Sequence, residues 1–214
     1  MRSIMRSGRL PAVLLMFVGM AIVVAPAAAM QFPVSGTVTV NEVPATLPAG
    51  GSFGDSTYDA SSGILSAGRF TLPPGSVTFD SPLGPVVATY QLGQSNTSTG
   101  EVDADGIAVL TPVAMRLEIV SAFLGGIIPI DVGQCVFEPI TLYLVGTGAA
   151  SGLDVSDPAF TIPPVAASAC AGYGEQINAA VAGSSNAMDL HLQGDFTPPP
   201  DEDPGLIFQN GFDS

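Results

Sequence analysis

Apolar and polar positions alternate with a period of two over much of the chain. Val34, Gly36, Val38 and Val40 alternate with Ser35, Thr37 and Thr39, and Val113, Met115, Leu117 and Ile119 alternate with Ala114, Arg116 and Glu118. The same rhythm runs through Ile140, Leu142 and Leu144, and through Met188, Leu190 and Leu192. Successive side chains on a strand point to opposite faces, so each run predicts a strand with one buried and one wet face, the mark of antiparallel sheets. Ser62-Gly63, Pro74-Gly75, Gly93 and Asp105-Gly106 fall between such runs, where Gly and Pro supply tight-turn angles. About ten short strands spaced in this way predict an all-β fold, an antiparallel β-sandwich or open barrel.

One stretch changes period. From Tyr173 to Ala182, Ile177 and Val181 fall one helical turn apart with Ala180 beside them, and Gly183 stands where a C-terminal cap belongs. A single short helix is predicted there, its apolar stripe packed on a sheet edge or closing one end of the fold. Phe70-Thr71-Leu72-Pro73-Pro74 returns as Phe160-Thr161-Ile162-Pro163-Pro164. Two related β-modules sharing one core would produce this repeat, and so would chance in a chain rich in Pro and Thr. After Phe196 the pattern stops. Thr197-Pro198-Pro199-Pro200-Asp201-Glu202-Asp203-Pro204 cannot join a sheet ladder and reads as a stiff acidic spacer. It leads to an apolar tag carrying Leu206, Ile207, Phe208 and Phe212. The chain thus divides into residues 1–29, a β-rich domain 30–196, and a linker with tag 197–214. Residues 197–214 are expected to be dispensable for folding. The tag is expected to dock on a partner protein; the alternatives are a tag that folds back on its own domain and a disordered end without a role.

Residues 1–29 read as a secretory signal peptide. Arg2, Arg6 and Arg9 form a basic start, Leu10 to Val24 an apolar core, and Ala27 and Ala29 the small side chains a signal peptidase requires. Cleavage is expected between Ala29 and Met30, with export to the periplasm, cell surface or extracellular space. The chain carries a formal net charge of −14. Beyond the leader only Arg69 and Arg116 oppose 19 acidic residues, and there is no Lys. Such a surface repels phosphate backbones and anionic head groups, so neither nucleic acid nor anionic membrane is an expected partner. Two cysteines, Cys135 and Cys170, make one structural disulfide the simplest expectation in an oxidising compartment.

Around Cys135 lie Pro139-Ile140-Thr141-Leu142-Tyr143-Leu144, then Phe160-Thr161-Ile162-Pro163-Pro164, Cys170, Ile177-Asn178 and Gly183-Ser184-Ser185-Asn186. This layout resembles uncharacterised secreted β-rich proteins of high-GC bacteria over the second half of the domain. The tail is similar to Ile-Phe-x-Asn-Gly-Phe-acid endings of exported proteobacterial proteins. The first resemblance implies an all-β fold with the disulfide, the second a modular tail. Neither implies an activity.

Candidate chemistry is sparse. Gly50-Gly51-Ser52-Phe53-Gly54 fits the G-x-S-x-G nucleophile pattern, but no helical periodicity follows Ser52 to form the strand–turn–helix elbow. His191, the single histidine, sits on the polar face of its strand with Asp189 and Gln193. Glu101-Val102-Asp103-Ala104-Asp105-Gly106 begins like a calcium loop, yet Pro112 stands where the closing Glu is needed, and Asp105-Gly106 favours a hairpin. Asn96-Thr97-Ser98 matches a glycosylation sequon and reads as a polar loop. No catalytic set, metal site or cofactor is predicted. The expectation is an exported non-enzymatic β-domain with a binding or structural role. The alternatives are a secreted hydrolase with an acid-based site, or a binder of a small apolar ligand held between modules near Phe70, Phe123 and Phe160.

Overall fold

The alternating runs are strands, and their apolar members are the buried ones. Val34 and Val38, Val113 to Ile119, and Met188 to Leu192 place every second side chain in the core. The structure is a computed structural model that describes residues 30–81 and 83–201. In chain order the strands are β1 (Met30–Val40), β2 (Val43–Thr46), β3 (Gly51–Ser56), β4 (Tyr58–Asp59), β5 (Ile64–Thr71), β6 (Gly75–Ser81), β7 (Gly84–Gln94) and β8 (Ser98–Val102). They continue as β9 (Ile107–Leu110), β10 (Val113–Leu124), β11 (Ile128–Ile130), β12 (Val136–Leu142), β13 (Val145–Ala149) and β14 (Gly152–Ile162). A 3-10 turn (Cys170–Gly172), the helix α1 (Gly174–Val181) and β15 (Gly183–Leu192) complete the fold. The predicted leader and its Ala29 cleavage position lie outside the described residues, as does the tag. Met30 opens β1 and pairs with Ser56.

Eight antiparallel strands close on themselves in the order β5–β3–β1–β15–β14–β13–β9–β8, with β8 returning to β5. The all-β architecture is as expected, and the barrel is closed. Closure leaves these strands no unpaired edge. Gly68 makes room inside: a Cβ there would fall 2.5 Å from Phe53 Cε1, in the same layer where Phe53 and Phe70 pack at 4.7 Å.

A second sheet branches from the barrel. β7 touches β5 through the single pair Thr71↔Gly93, then carries β6 on one side and β10 on the other, with β11 and β12 beyond β10. The branch point is held by a buried side chain. Gln94 Oε1 accepts from the Phe70 N–H at 2.6 Å, and its Nε2 donates to Ser98 Oγ at 2.9 Å. The amide thus replaces ladder bonds where the two sheets part. Gln94→Leu should cost about 2 kcal/mol, because two buried polar groups lose their partner. Chemical denaturation reads this directly, and an unchanged midpoint would show that the branch does not depend on the amide.

The run through Leu144 is interrupted. β12 ends at Leu142, and the Tyr143 N–H donates to Asp157 Oδ2 at 2.7 Å rather than to a strand neighbour. Both copies of the Phe-Thr-x-Pro-Pro repeat end a barrel strand, β5 and β14, and both turn the chain outward. Pro73-Pro74 leads to β6, and Pro163-Pro164 to the strap before α1. Asn178 ties that strap to the helix, accepting from the Val165 N–H at 2.9 Å and donating to its carbonyl at 2.8 Å.

Cys135 and Cys170 form a disulfide, both nearly fully buried. It joins the residue before β12 to the turn before α1, fixing the helix to the second sheet. The opposite end of the barrel is closed by Phe196, which is fully buried against Phe32 at 4.9 Å and Tyr58 at 5.2 Å. The Tyr58 hydroxyl donates to the Thr197 carbonyl at 2.7 Å. The spacer does not stand off the domain at its start, since Pro198 and Pro199 are half-buried over the turns at Gly106 and Gly63.

Candidate functional site

The second sheet and α1 face each other across an apolar cleft. The sheet contributes Val77 and Phe79 from β6, Tyr90 and Leu92 from β7, and Leu117 and Ile119 from β10. Alternation along these strands points one set of side chains into the cleft and the other to solvent. The β1–β2 hairpin forms one wall through Val38, Val40, Val43 and Ala45. Its two-residue tip, Asn41-Glu42, has positive φ at both positions, as a type I′ turn requires. The tip is pinned: Asn41 N–H donates to Asn186 Oδ1 at 2.9 Å, and Glu42 N–H to the Ser185 carbonyl at 3.1 Å.

The cleft has two parts that share Phe79 in their walls. A narrow slot of about 70 Å³ lies between the hairpin, the sheet and Ala180–Val181 of α1. A wider hollow of about 470 Å³ continues toward β11, bounded by Val86, Ala122, Leu124, Ile130 and Val132, with Tyr173 and Ile177 from the helix end. Phe79 borders both. Apolar side chains crowd the outer mouth. Leu83 beside the β6–β7 turn is 83% exposed, and Ile128 of β11 is 61% exposed.

The electrostatics are one-sided. Asp131 is the single carboxylate among the residues lining either part, and no Arg lines them. Its Oδ1 accepts from the Gly133 N–H at 2.9 Å. Burial raises the Tyr90 phenol above its ordinary value, so it stays neutral near physiological pH. Asp80 and Glu175 adjoin lining residues. The cleft can therefore take apolar groups and offers an anion no cationic partner.

The sequence motifs lie elsewhere. Gly51 to Gly54 run within β3, where Ser52 pairs with Pro33 and Thr71, so there is no nucleophile elbow. His191 Nδ1 meets Asp154 Oδ1 at 2.7 Å on the outer barrel face. Ser35 is its neighbour across β1, which puts a Ser, a His and an Asp in one row. The imidazole lies over Gly152, on the Asp154 side, with Nε2 turned away from Ser35. The row therefore lacks the nucleophile–base contact that a triad needs. Asp103 to Gly106 form the β8–β9 hairpin turn, in which Asp103 Oδ1 accepts from the Ile107 N–H at 2.8 Å. Among the described residues no three His, Cys, Asp or Glu side chains converge to hold a metal ion. The Asn96 amide is engaged in the fold, donating to the Pro112 carbonyl at 3.1 Å and accepting from the Ala114 N–H at 2.9 Å. Phe70 and Phe160 are core residues and Phe123 is half-buried on β10. None of the three lines the cleft.

Sequence reasoning thus missed the lining residues. The available signal was apolar residues at turns, Leu83 before Gly84 and Ile127-Ile128 after Gly125-Gly126, where chain reversals are ordinarily polar. Among the described residues no helix is long and apolar enough to cross a membrane, which leaves strands unaddressed. Comparison with known proteins adds no relative: no family model, no curated protein and no solved structure matches the chain.

Proposed function

We propose that this chain is an exported, non-enzymatic binding domain that holds a small uncharged apolar molecule in the cleft beneath α1. The observation that carries the reading is the hollow of about 470 Å³ walled by apolar side chains from five elements, β6, β7, β10, β11 and α1. Its size falls within the range of small-molecule sites, about 300 to 1,000 Å³. The leader-like residues 1–29 and the Cys135–Cys170 disulfide support export. The His191–Asp154 pair, lacking a nucleophile in contact, favours binding over hydrolysis. Acidic neighbours and the absence of a lining cation select a neutral ligand over a carboxylate of the same chain length.

Nile red, a neutral apolar dye, should bind with a rise in fluorescence. Ala180→Trp, which fills the slot from the helix, and Phe79→Glu, which puts a charge where both parts meet, should each weaken binding at least tenfold. Both positions are half-buried, so the folded state should survive and circular dichroism checks it. Dye binding unaltered by both variants would place the apolar site elsewhere. Absence of binding to the folded wild-type chain would remove the proposal.

A further inference from the structure

The barrel has a second apolar surface, on its outside. Outward positions of a closed barrel are ordinarily polar, yet Ile64 of β5, Ile107 and Val109 of β9 and Val145 of β13 are all about half exposed, and Tyr143 beside them is 63% exposed. In register, Ile64 faces Glu101, Glu101 faces Val109, and Val109 faces Val145. They line a dish of about 520 Å³ with Thr99, Thr111 and Pro112. Every strand beneath it is paired on both sides, so a visitor cannot add a strand and must lie on the face.

The chain itself arrives at the rim of this dish. Past the Phe196 plug, Pro198 lies over Gly106, the neighbour of Ile107, and Pro199 Cδ comes within 3.2 Å of where a Cβ on Gly63 would stand, next to Ile64. Residues 202–214 follow, with Leu206-Ile207-Phe208 uncharged and apolar. From Asp201 to Leu206 an extended chain spans up to about 17 Å. From Ile64 to Val145 the dish crosses three strand spacings, or about 14 Å. The apolar segment is therefore within reach of the whole dish. A short tether also keeps its local concentration in the millimolar range, so a weak contact suffices.

We infer that the segment Leu206–Phe208 of the same chain docks on the outer face formed by Ile64, Ile107, Val109, Tyr143 and Val145. Glu101, in the middle of the dish, favours this uncharged segment over the acidic stretches that flank it. The tail then covers an apolar patch that would otherwise invite association between copies. The inference rests on the exit point of the chain and is independent of the cleft.

The chain has no Trp, so Phe208→Trp in the full chain gives a single reporter. Its emission should be blue-shifted, independent of protein concentration, and returned to that of a water-exposed indole by Val109→Glu. Phe79→Glu, in the cleft, should leave the emission where it was. An exposed-indole spectrum at all concentrations would overturn the inference. So would a blue shift that appears only as concentration rises, which would mean docking on a second copy. A blue shift insensitive to Val109→Glu but lost with Phe79→Glu would place the tail in the cleft and likewise overturn it. Val109 is half exposed, so the substitution should not unfold the barrel.

Discussion

Replacing both Cys135 and Cys170 by serine should lower the melting temperature by roughly 10 °C. The bridge spans a sequence separation of 35. Closing a loop of that length removes chain entropy from the unfolded state worth about 3 to 4 kcal/mol. For a domain of this size each kcal/mol moves the midpoint by about 2 to 4 °C. The barrel does not contain the bridge, so its β signature in circular dichroism should persist at low temperature. The helix should feel the loss more, since the bridge joins the turn before α1 directly to the second sheet, whereas the Asn178–Val165 bonds join the strap to the helix itself. Amide exchange in α1 should accelerate more than in β14 or β15. A double serine variant melting within a degree or two of the parent would mean that the strap is held without the disulfide.

Phe196→Ala should have the other large effect, a loss of about 3 to 5 kcal/mol. The ring is fully buried against Phe32 and Tyr58, and the Phe196 N–H donates to the Ala149 carbonyl at 2.9 Å. Truncation leaves a cavity at the barrel mouth that stiff sheet walls cannot collapse to fill. Stopping the chain after Asp201 retains the ring, the Tyr58–Thr197 bond and the two prolines, and should cost little by comparison. Stopping after Asp195 should match or exceed the alanine variant. Equal stability of the Phe196→Ala and parent proteins in urea would show that residue 196 is not a core position.

The barrel was legible in the sequence because one-sided burial writes itself as period two. β1 and β15 of the barrel show it in Val34–Val38 and Met188–Leu192, and β10 of the second sheet shows it in Val113–Ile119. The helix was legible at Ile177 and Val181 because both are buried on one stripe. The disulfide followed from there being two cysteines. The cleft was not legible. Its walls come from β1, β2, β6, β7, β10, β11 and α1, and whether Val77 and Phe79 face a packed core or a hollow depends on how the second sheet leaves the barrel. The branch point is held by the buried amide of Gln94 and by Gln91, which donates to the Leu72 carbonyl at 2.6 Å, and neither contact has a local sequence signature. The His191–Asp154 contact was equally hidden, because it joins residues 37 apart through strand register. The polar face was readable from the sequence, but its cross-strand partner was not. Phe123 was proposed as a cleft residue on side-chain character alone, and its place on β10 turns it away from the hollow.

The central claim is that the cleft beneath α1 holds a neutral apolar molecule, and methyl resonances report on it site by site. Titration of 1-dodecanol into the full chain should shift the methyls of Val77, Ile119, Ile177 and Val181, while those of Ile64, Val109 and Val145 on the outer barrel stay still. Dodecanoate, the anionic counterpart, should produce the same pattern only at much higher concentration. Shifts confined to the outer barrel face, or no shifts at the cleft methyls up to the solubility limit of the alcohol, would contradict the account.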